Sequence, residues 1–335
     1  MDALYAEYAP VLAEYGIYEL APILNAWREP HRHYHTEAHL QYLLKAIDLL
    51  HENGQLTEEN RKVLVMAAFF HDIVYDPLRQ DNEEQSAALF AAMAQAHPKA
   101  DWVQKIILDT RHHEPTDALS KQFSELDMHI VTQADFPALL RWERAIFKEY
   151  QYLDYPLYRE GRLALLTHFI HKYPQNAQNL RYLHEYVQQY RPKIGIYAGS
   201  FHPFHHGHLN ILEKAETIFE KVIIARGINP DKADVNENPL SLKTLRYRQT
   251  DNFSGFLTKY ITSKEAWADV TLVRGLRNGD DLDYEVNQLR FMQDMKENLK
   301  VIFLPCDKEF EHISSSSIKN LDRIDPNFSR KYMPE

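Results

Sequence analysis

RPKIGIYAGSFHPFHHGHLNIL, residues 191–212, is where the chain changes character. KIGIYAG is a short β-branched run that stops at Gly199-Ser200, and four histidines fall in the seven residues 202–208. An amphipathic pattern, HLNILEKAETIFE, follows at once. Strand, tight turn and helix in that order read as the opening of a parallel α/β sheet. Downstream, KVIIARGI (221–228), VTLVRGL (270–276) and KVIFLPC (300–306) are further buried-strand candidates with helical patterns between them. Upstream the style differs. Only Gly16, Gly54 and Gly161 interrupt the first 192 residues, against seven glycines in the last 143. HLQYLLKAIDLLHENG (39–54), ENRKVLVMAAFFHDIVYD (59–76), PTDALSKQFSELDMHI (115–130), FPALLRWERAIFKEYQYL (136–153) and GRLALLTHFIHKY (161–173) keep a helical period, so this half is expected to be all-α.

A length of 335 residues suits two domains, and the proline-bearing join at QQYRPK divides them into 1–191 and 192–335. The single cysteine, Cys306, excludes a disulfide framework and fits a reducing cytoplasm. The N-terminal MDALYAEYAPVLAEYG lacks the basic start of a signal peptide, and no run approaches the roughly 20 apolar residues of a membrane helix. A cytoplasmic protein with no membrane partner is expected. Net charge is −10, of which −9 lies in residues 1–192 (18 Lys+Arg, 27 Asp+Glu) and −1 in the remainder. Neither half has the basic surface that counterion release demands, so a nucleic-acid partner is not expected. A phosphate ligand must be gripped by a few placed Arg, Lys or His side chains.

Thirteen of the 18 histidines precede residue 193. HRHYHTEAHL (31–40) sets His35 and His39 four apart, on one helical face. FFHDIVYDP closes an apolar helix with His71 and Asp72; TRHHEP brings His112 and His113, and ELDMHI brings Asp127. Imidazoles and carboxylates on separate helices suit a divalent Mn, Fe, Zn or Mg ion. RHYHTEAHL, FFHDIVYDP and DNEEQSA together resemble a branch of the HD-domain metal-dependent phosphohydrolases, over most of residues 20–190. The resemblance implies His39, His71, Asp72 and Asp127 as metal ligands. It makes His35, His112 and His113 further ligand candidates, and Asp76 and Glu83 acid/base candidates. The usual third block, D-x-D-L, here reads Asp127-Met128-His129-Ile130.

In YAGSFHPFHHGHLNIL (197–212) the free N–H groups and dipole of a helix start suit a phosphate chain. His205 and His208 can donate to phosphate oxygens, and Gly207 allows close backbone approach. VRGLRNGDDLDYE puts Arg274 and Arg277 at a strand end, where guanidiniums suit phosphates. EHISSSSIKNL lines up Ser314, Ser315, Ser316 and Ser317 ahead of a helix. These blocks resemble the HxGH nucleotidyltransferases, most of all the bacterial phosphopantetheine adenylyltransferases, over nearly all of residues 193–335. The resemblance implies Ser200 and Phe201 at the first turn and His208 on the transferred phosphate. It sets Arg274 and Lys232 on the acceptor, Gly275, Arg277 and Glu285 at ATP, and Ser314, Ser315 and Ser316 near its phosphates. Two departures are His202 where an Asp is usual and a shortened SLKTLRYRQTDNFSGF.

The expectation is therefore a multidomain, bifunctional, homo-oligomeric enzyme: an all-α HD-type phosphohydrolase followed by a Rossmann-like α/β nucleotidyltransferase. Its substrates would be small molecules. ATP with Mg and 4′-phosphopantetheine would give dephospho-coenzyme A and pyrophosphate, and the metal-bearing half would hydrolyse a phosphate ester. The alternatives are a mononucleotide adenylyltransferase or cytidylyltransferase beside the hydrolase, or one domain serving as a nucleotide or coenzyme A sensor.

Overall fold

A computed structural model describes residues 3–94, 97–228, 240 and 242–335. The chain forms two compact units, Met1–Glu149 with Arg162–Tyr186, and Tyr150–Gly161 with Val187–Glu335. Among the described residues, no helix is long and apolar enough to cross a membrane.

The first unit is helical, and its organising element is the helix Glu58–Phe70. Thr57 caps it by accepting Asn60 N–H. Val63 through Phe70 are all 1% exposed or less, so this stretch is buried all round rather than along one stripe. Each large side chain so buried contributes about 1.5–3 kcal/mol. Helices Glu37–Glu52, Ala100–Asp109 and Ala118–Asp127 pack around it. Gly54, at φ 71°, lies in the left-handed region just beyond the first of these, as its place after HLQYLLKAIDLLHEN leads one to expect.

The second unit holds a five-stranded, all-parallel sheet of order β3-β2-β1-β4-β5. Its strands are β1 Lys193–Gly199, β2 Lys221–Ile228, β3 Gln249–Ser254, β4 Asp269–Leu276 and β5 Val301–Pro305. β1 is central, running beside β2 from Ile194↔Lys221 to Gly199↔Arg226 and beside β4 from Lys193↔Asp269 to Tyr197↔Val273. The chain builds one side of the sheet and then crosses to the other, which leaves a crevice at the carboxyl ends of β1 and β4. A helical region followed by a Rossmann-like domain is thus the architecture. Four strands are those expected from their apolar runs. β3 was not, because QTDNFS is an edge strand and needs no apolar face on both sides.

A buried polar network ties the Tyr150–Gly161 segment into this unit. Lys221, 1% exposed at the start of β2, donates from Nζ to the Gln151 carbonyl. Lys264 pairs with Asp154 and Asp251, each at 3.0 Å, and Gln249 donates to the same two carboxylates at 3.1 and 2.9 Å. Burial pushes Lys221 down to about 7 against the pull of Asp154 and Asp251.

Candidate functional site

In the first unit the loop 31–36 is pinned by Arg32, whose side chain is buried. It donates to the carbonyls of Asp72 at 2.7 Å and Ile73 at 3.0 Å, just past the end of Glu58–Phe70. That pinning sets His39, in the first turn of Glu37–Glu52, against His71 and Asp72. His39, His71 and Asp72 offer ligand atoms within 4.8 Å of one another. Asp127, the last residue of Ala118–Asp127, completes the group: Oδ1 is 3.0 Å from His39 Nε2 and 3.6 Å from His71 Nε2. His71 Nδ1 donates to the Ala68 carbonyl at 3.1 Å, which leaves Nε2 as the ligating lone pair.

These donors fit a divalent cation. Among the described residues the buried His71 Nε2 has no hydrogen-bond partner, although Asp72 Oδ2 stands 3.1 Å away. An ion-pair distance without hydrogen-bond alignment is what atoms converging on a common centre show. Burial pushes Asp127 up, but the hydrogen bond from His39 and the closeness of His71 hold it well below the usual carboxylate range. Two imidazoles with two ionised carboxylates make a mixed N/O donor set.

The other candidates divide. His113, at φ 49° in the left-handed region, has a buried Nδ1 with no hydrogen-bond partner among the described residues and lies 3.9 Å from Asp127. Glu83 is pushed up by burial and then by the charge of Asp72. His112 is exposed. The carboxylate of Asp76 accepts Leu78 N–H, within its own loop. His35 instead meets Glu149, which sequence did not single out: Nδ1 to Oε2 is 2.8 Å.

In the second unit, the helix His206–Glu216 begins at the β1 crevice. His205 is its N-cap, and two histidines cap reciprocally: His205 Nδ1 accepts His208 N–H, and His208 Nδ1 accepts His205 N–H, both at 3.3 Å. The rings stack at 3.6 Å. Each Nδ1 is therefore an unprotonated acceptor, and each neutral ring carries its proton at Nε2. Burial, then Arg277, pushes His205 down to about 4; burial, then His205 and Arg277, pushes His208 well below its ordinary value. The pair is a set of two uncharged N–H donors. Gly207 has a packing reason beside the expected one, since a Cβ there would lie 3.2 Å from the His205 ring. Phe201, buried at φ 46°, packs on Tyr197 and sets its ring 5.1 Å from that of His208, so it supports the histidine from the core.

Arg274, in β4, is held on two sides. Nε and Nη2 grip Glu285 at 2.5 and 2.6 Å, and Nη1 donates to the Ala198 carbonyl at 2.9 Å. Glu285 thus meets Arg274 directly. Three of five guanidinium N–H groups are used and two are left. Arg277 is clamped by Asp281. Gly275 admits Ile211, because a Cβ would stand 2.9 Å from Ile211 Cγ1. Ser314 caps the helix Ser315–Ile324 by accepting Ser317 N–H, and Ser315 Oγ donates to the Pro203 carbonyl at 3.1 Å. This brings a second helix start to the turn that carries His205. Ser200 and Ser316 are exposed. Lys232 lies outside the described residues.

The sheet order and the histidine-capped helix at its crevice define a nucleotidyltransferase domain, and residues 196–321 match the cytidylyltransferase-like family. Three similar curated proteins are phosphopantetheine adenylyltransferases. That of Syntrophomonas wolfei is 33% identical over 137 residues, that of Shouchella clausii 34% over 136, and that of Actinobacillus pleuropneumoniae serotype 3 33% over 137. Each alignment takes 38% of this chain and covers 81%, 84% and 84% of the relative. Through this domain the chain belongs to the phosphopantetheine adenylyltransferase family. The family match leaves the helical unit to be read from its own residues.

Proposed function

We propose that the chain is a bifunctional enzyme, with a hydrolase domain over residues 1–191 and a transferase domain over 192–335. The transferase moves adenylyl from ATP to 4′-phosphopantetheine, giving dephospho-coenzyme A and pyrophosphate. The observation that carries this is the pair of reciprocally capped histidines at the β1 crevice of a domain whose relatives bear that name. No enzyme nucleophile is needed: an acceptor phosphate oxygen bonds to the α-phosphorus as the bond to the leaving pyrophosphate breaks. Catalysis is then positioning and charge stabilisation. His208 and His205 donate Nε2–H to phosphate oxygens where charge grows. Arg274, steadied by Glu285, offers its remaining N–H groups to the acceptor phosphate, with Lys232 as a second cation. Gly275, Arg277 and the Ser314–Ser316 helix start receive ATP, with Ser200 at the first turn. Mg²⁺ bound with ATP would supply further charge neutralisation.

In the first domain His39, His71, Asp72 and Asp127 would hold a divalent Mn, Fe, Zn or Mg ion, which supplies an activated water and a phosphate clamp. Glu83 is the candidate for proton transfer. The substrate class is a small phosphate ester. A homo-oligomer is supported by the helix Gly279–Met295, which buries none of its residues and exposes Tyr284, Phe291 and Met295.

Pyrophosphate release tests the transferase. Turnover with ATP and 4′-phosphopantetheine is expected; turnover only with CTP, or only with nicotinate mononucleotide as acceptor, would replace the acceptor or donor assigned. For the hydrolase, Asp72→Ala should remove both Mn²⁺ binding and phosphatase activity. A variant that keeps its phosphatase turnover would show that the histidine–aspartate cluster is not the site.

A further inference from the structure

The helix Phe136–Glu149 ends on a carboxylate that is 0% exposed, and among the described residues no Lys or Arg pairs with it. Its donors are of another kind. Glu149 Oε1 accepts three consecutive backbone N–H groups, from His33 at 2.7 Å, Tyr34 at 2.7 Å and His35 at 3.0 Å. Oε2 accepts the Tyr75 hydroxyl at 2.7 Å and meets His35 Nδ1 at 2.8 Å. Burial pushes Glu149 up, but His35 and the loop amides bring it down to about 2. An ionised carboxylate only accepts, so the His35 Nδ1 carries a proton.

The rest of the His35 ring is equally determined. It stacks on Tyr75 with centroids 4.2 Å apart and sets its edge to His39 at 6.5 Å. Its Nε2 has no hydrogen-bond partner among the described residues, and the side chain is 22% exposed. His35 is also not one of the three groups that come within 4.8 Å of one another. The ring is fixed on one nitrogen and open on the other, beside the metal cluster but not in it.

We infer that Glu149 is a positioning residue: it holds His35 with the proton on Nδ1 and so keeps the Nε2 lone pair to take a proton from the water that attacks the phosphate-ester ligand of the first domain, rather than to bind the metal. The identity of that ligand rests on the hydrolase reading, whereas the Glu149–His35 pairing does not. A carboxylate behind an imidazole fixes both tautomer and ring direction, and losing such a partner typically costs 10–100-fold in function.

The test uses the full chain with ¹⁵N-labelled histidine, in the wild type and in Glu149→Gln, with His35→Ala to assign the resonances. Glu149→Gln keeps a carbonyl for the three loop amides but turns an NH₂ toward His35, so Nδ1 must accept and the proton moves to Nε2. Wild type should show His35 protonated at Nδ1 and the variant should show the inverted tautomer. With Mn²⁺ and 4-nitrophenyl phosphate, turnover of the variant should fall about 10–100-fold, while its Mn²⁺ Kd from calorimetry stays within about threefold. An unchanged His35 spectrum overturns the inference. So does loss of Mn²⁺ binding in Glu149→Gln, because Glu149 would then serve the metal ligands. If the wild type binds no Mn²⁺, the hydrolase reading fails and the tautomer spectra still decide the pairing. If Glu149→Gln does not fold, the wild-type spectrum decides: His35 protonated only at Nε2 refutes it, and protonation at Nδ1 upholds it.

Discussion

His205 does two jobs in the second domain, and one pair of substitutions separates them. As N-cap it gives His208 N–H an acceptor at 3.3 Å, and as a neutral imidazole it presents Nε2–H. His205→Ala removes both. His205→Asn removes the imidazole donor but supplies an oxygen acceptor at a position where asparagine is among the best caps. The lost cap costs about 1 kcal/mol in the alanine variant, within a range of roughly 0.5–2, and a few tenths at most in the asparagine variant. For a domain of this size 1 kcal/mol lowers the melting temperature by about 2–4 °C. The lost donor is a separate and larger quantity: removing one N–H from a developing phosphate charge costs roughly 2.7–4 kcal/mol, or about 10²–10³ in turnover. Both variants should therefore release pyrophosphate about a hundredfold or more slowly, with the KM for ATP little changed, and only the alanine variant should melt early. Thermal unfolding followed by circular dichroism and coupled pyrophosphate detection give the two numbers. His205→Asn with wild-type turnover would refute the donor role and leave His205 as a cap alone.

Gly275→Ala places a methyl group 2.9 Å from Ile211 Cγ1 and should destabilise the second domain by about 1–3 kcal/mol, read as a lowered melting temperature; an unchanged melting temperature would show that Ile211 yields to it. Glu285→Gln removes one charge-assisted bond that aims Arg274, so kcat/KM for the acceptor should fall about 10–100-fold while ATP binding is kept; equal loss for both substrates would contradict that. Lys221 is held near 7, against an ordinary lysine value of 10.5, so between these pH values the unfolded chain binds the extra proton and stability rises with pH. The rise amounts to at most about 5 kcal/mol, it levels off below pH 7, and Lys221→Met should abolish it in urea titrations run from pH 6 to 10.

Apolar runs carried most of the fold. KVIIARGI and VTLVRGL show themselves because strands in the middle of a parallel sheet are covered on both faces, and KVIFLPC, at the β5 edge, is apolar all the same. QTDNFS does not, since an edge strand is free to be polar. Likewise ENRKVLVMAAFF looks like an ordinary helix in sequence, and only packing shows that Val63 to Phe70 are enclosed on every side. The Tyr150–Gly161 segment has a helical pattern continuous with its neighbours, so periodicity cannot tell that its contacts lie with the α/β unit. That information resides in single polar side chains such as Asp154, whose partners Gln249 and Lys264 are 95 and 110 residues away.

The same division runs through the sites. His39, His71, Asp72, His205 and His208 are conspicuous because imidazoles and carboxylates recur together in short motifs and their types announce a chemistry. The groups that aim them are not conspicuous. Arg32 holds the His35 loop to Asp72 through backbone carbonyls, and the Ala68 carbonyl selects the tautomer of His71. Glu149 is one acid among many in an amphipathic helix, and its role comes from burial and five donors that only the folded chain assembles. A backbone carbonyl leaves no trace in residue type, and a buried carboxylate reads as a solvated one until its surroundings are known. Tautomer is set by such partners, and tautomer decides whether an imidazole offers a lone pair to a metal or a proton to a phosphate. His71 and His208 make opposite choices for that reason: a carbonyl takes the Nδ1 proton of one, and an amide occupies the Nδ1 lone pair of the other.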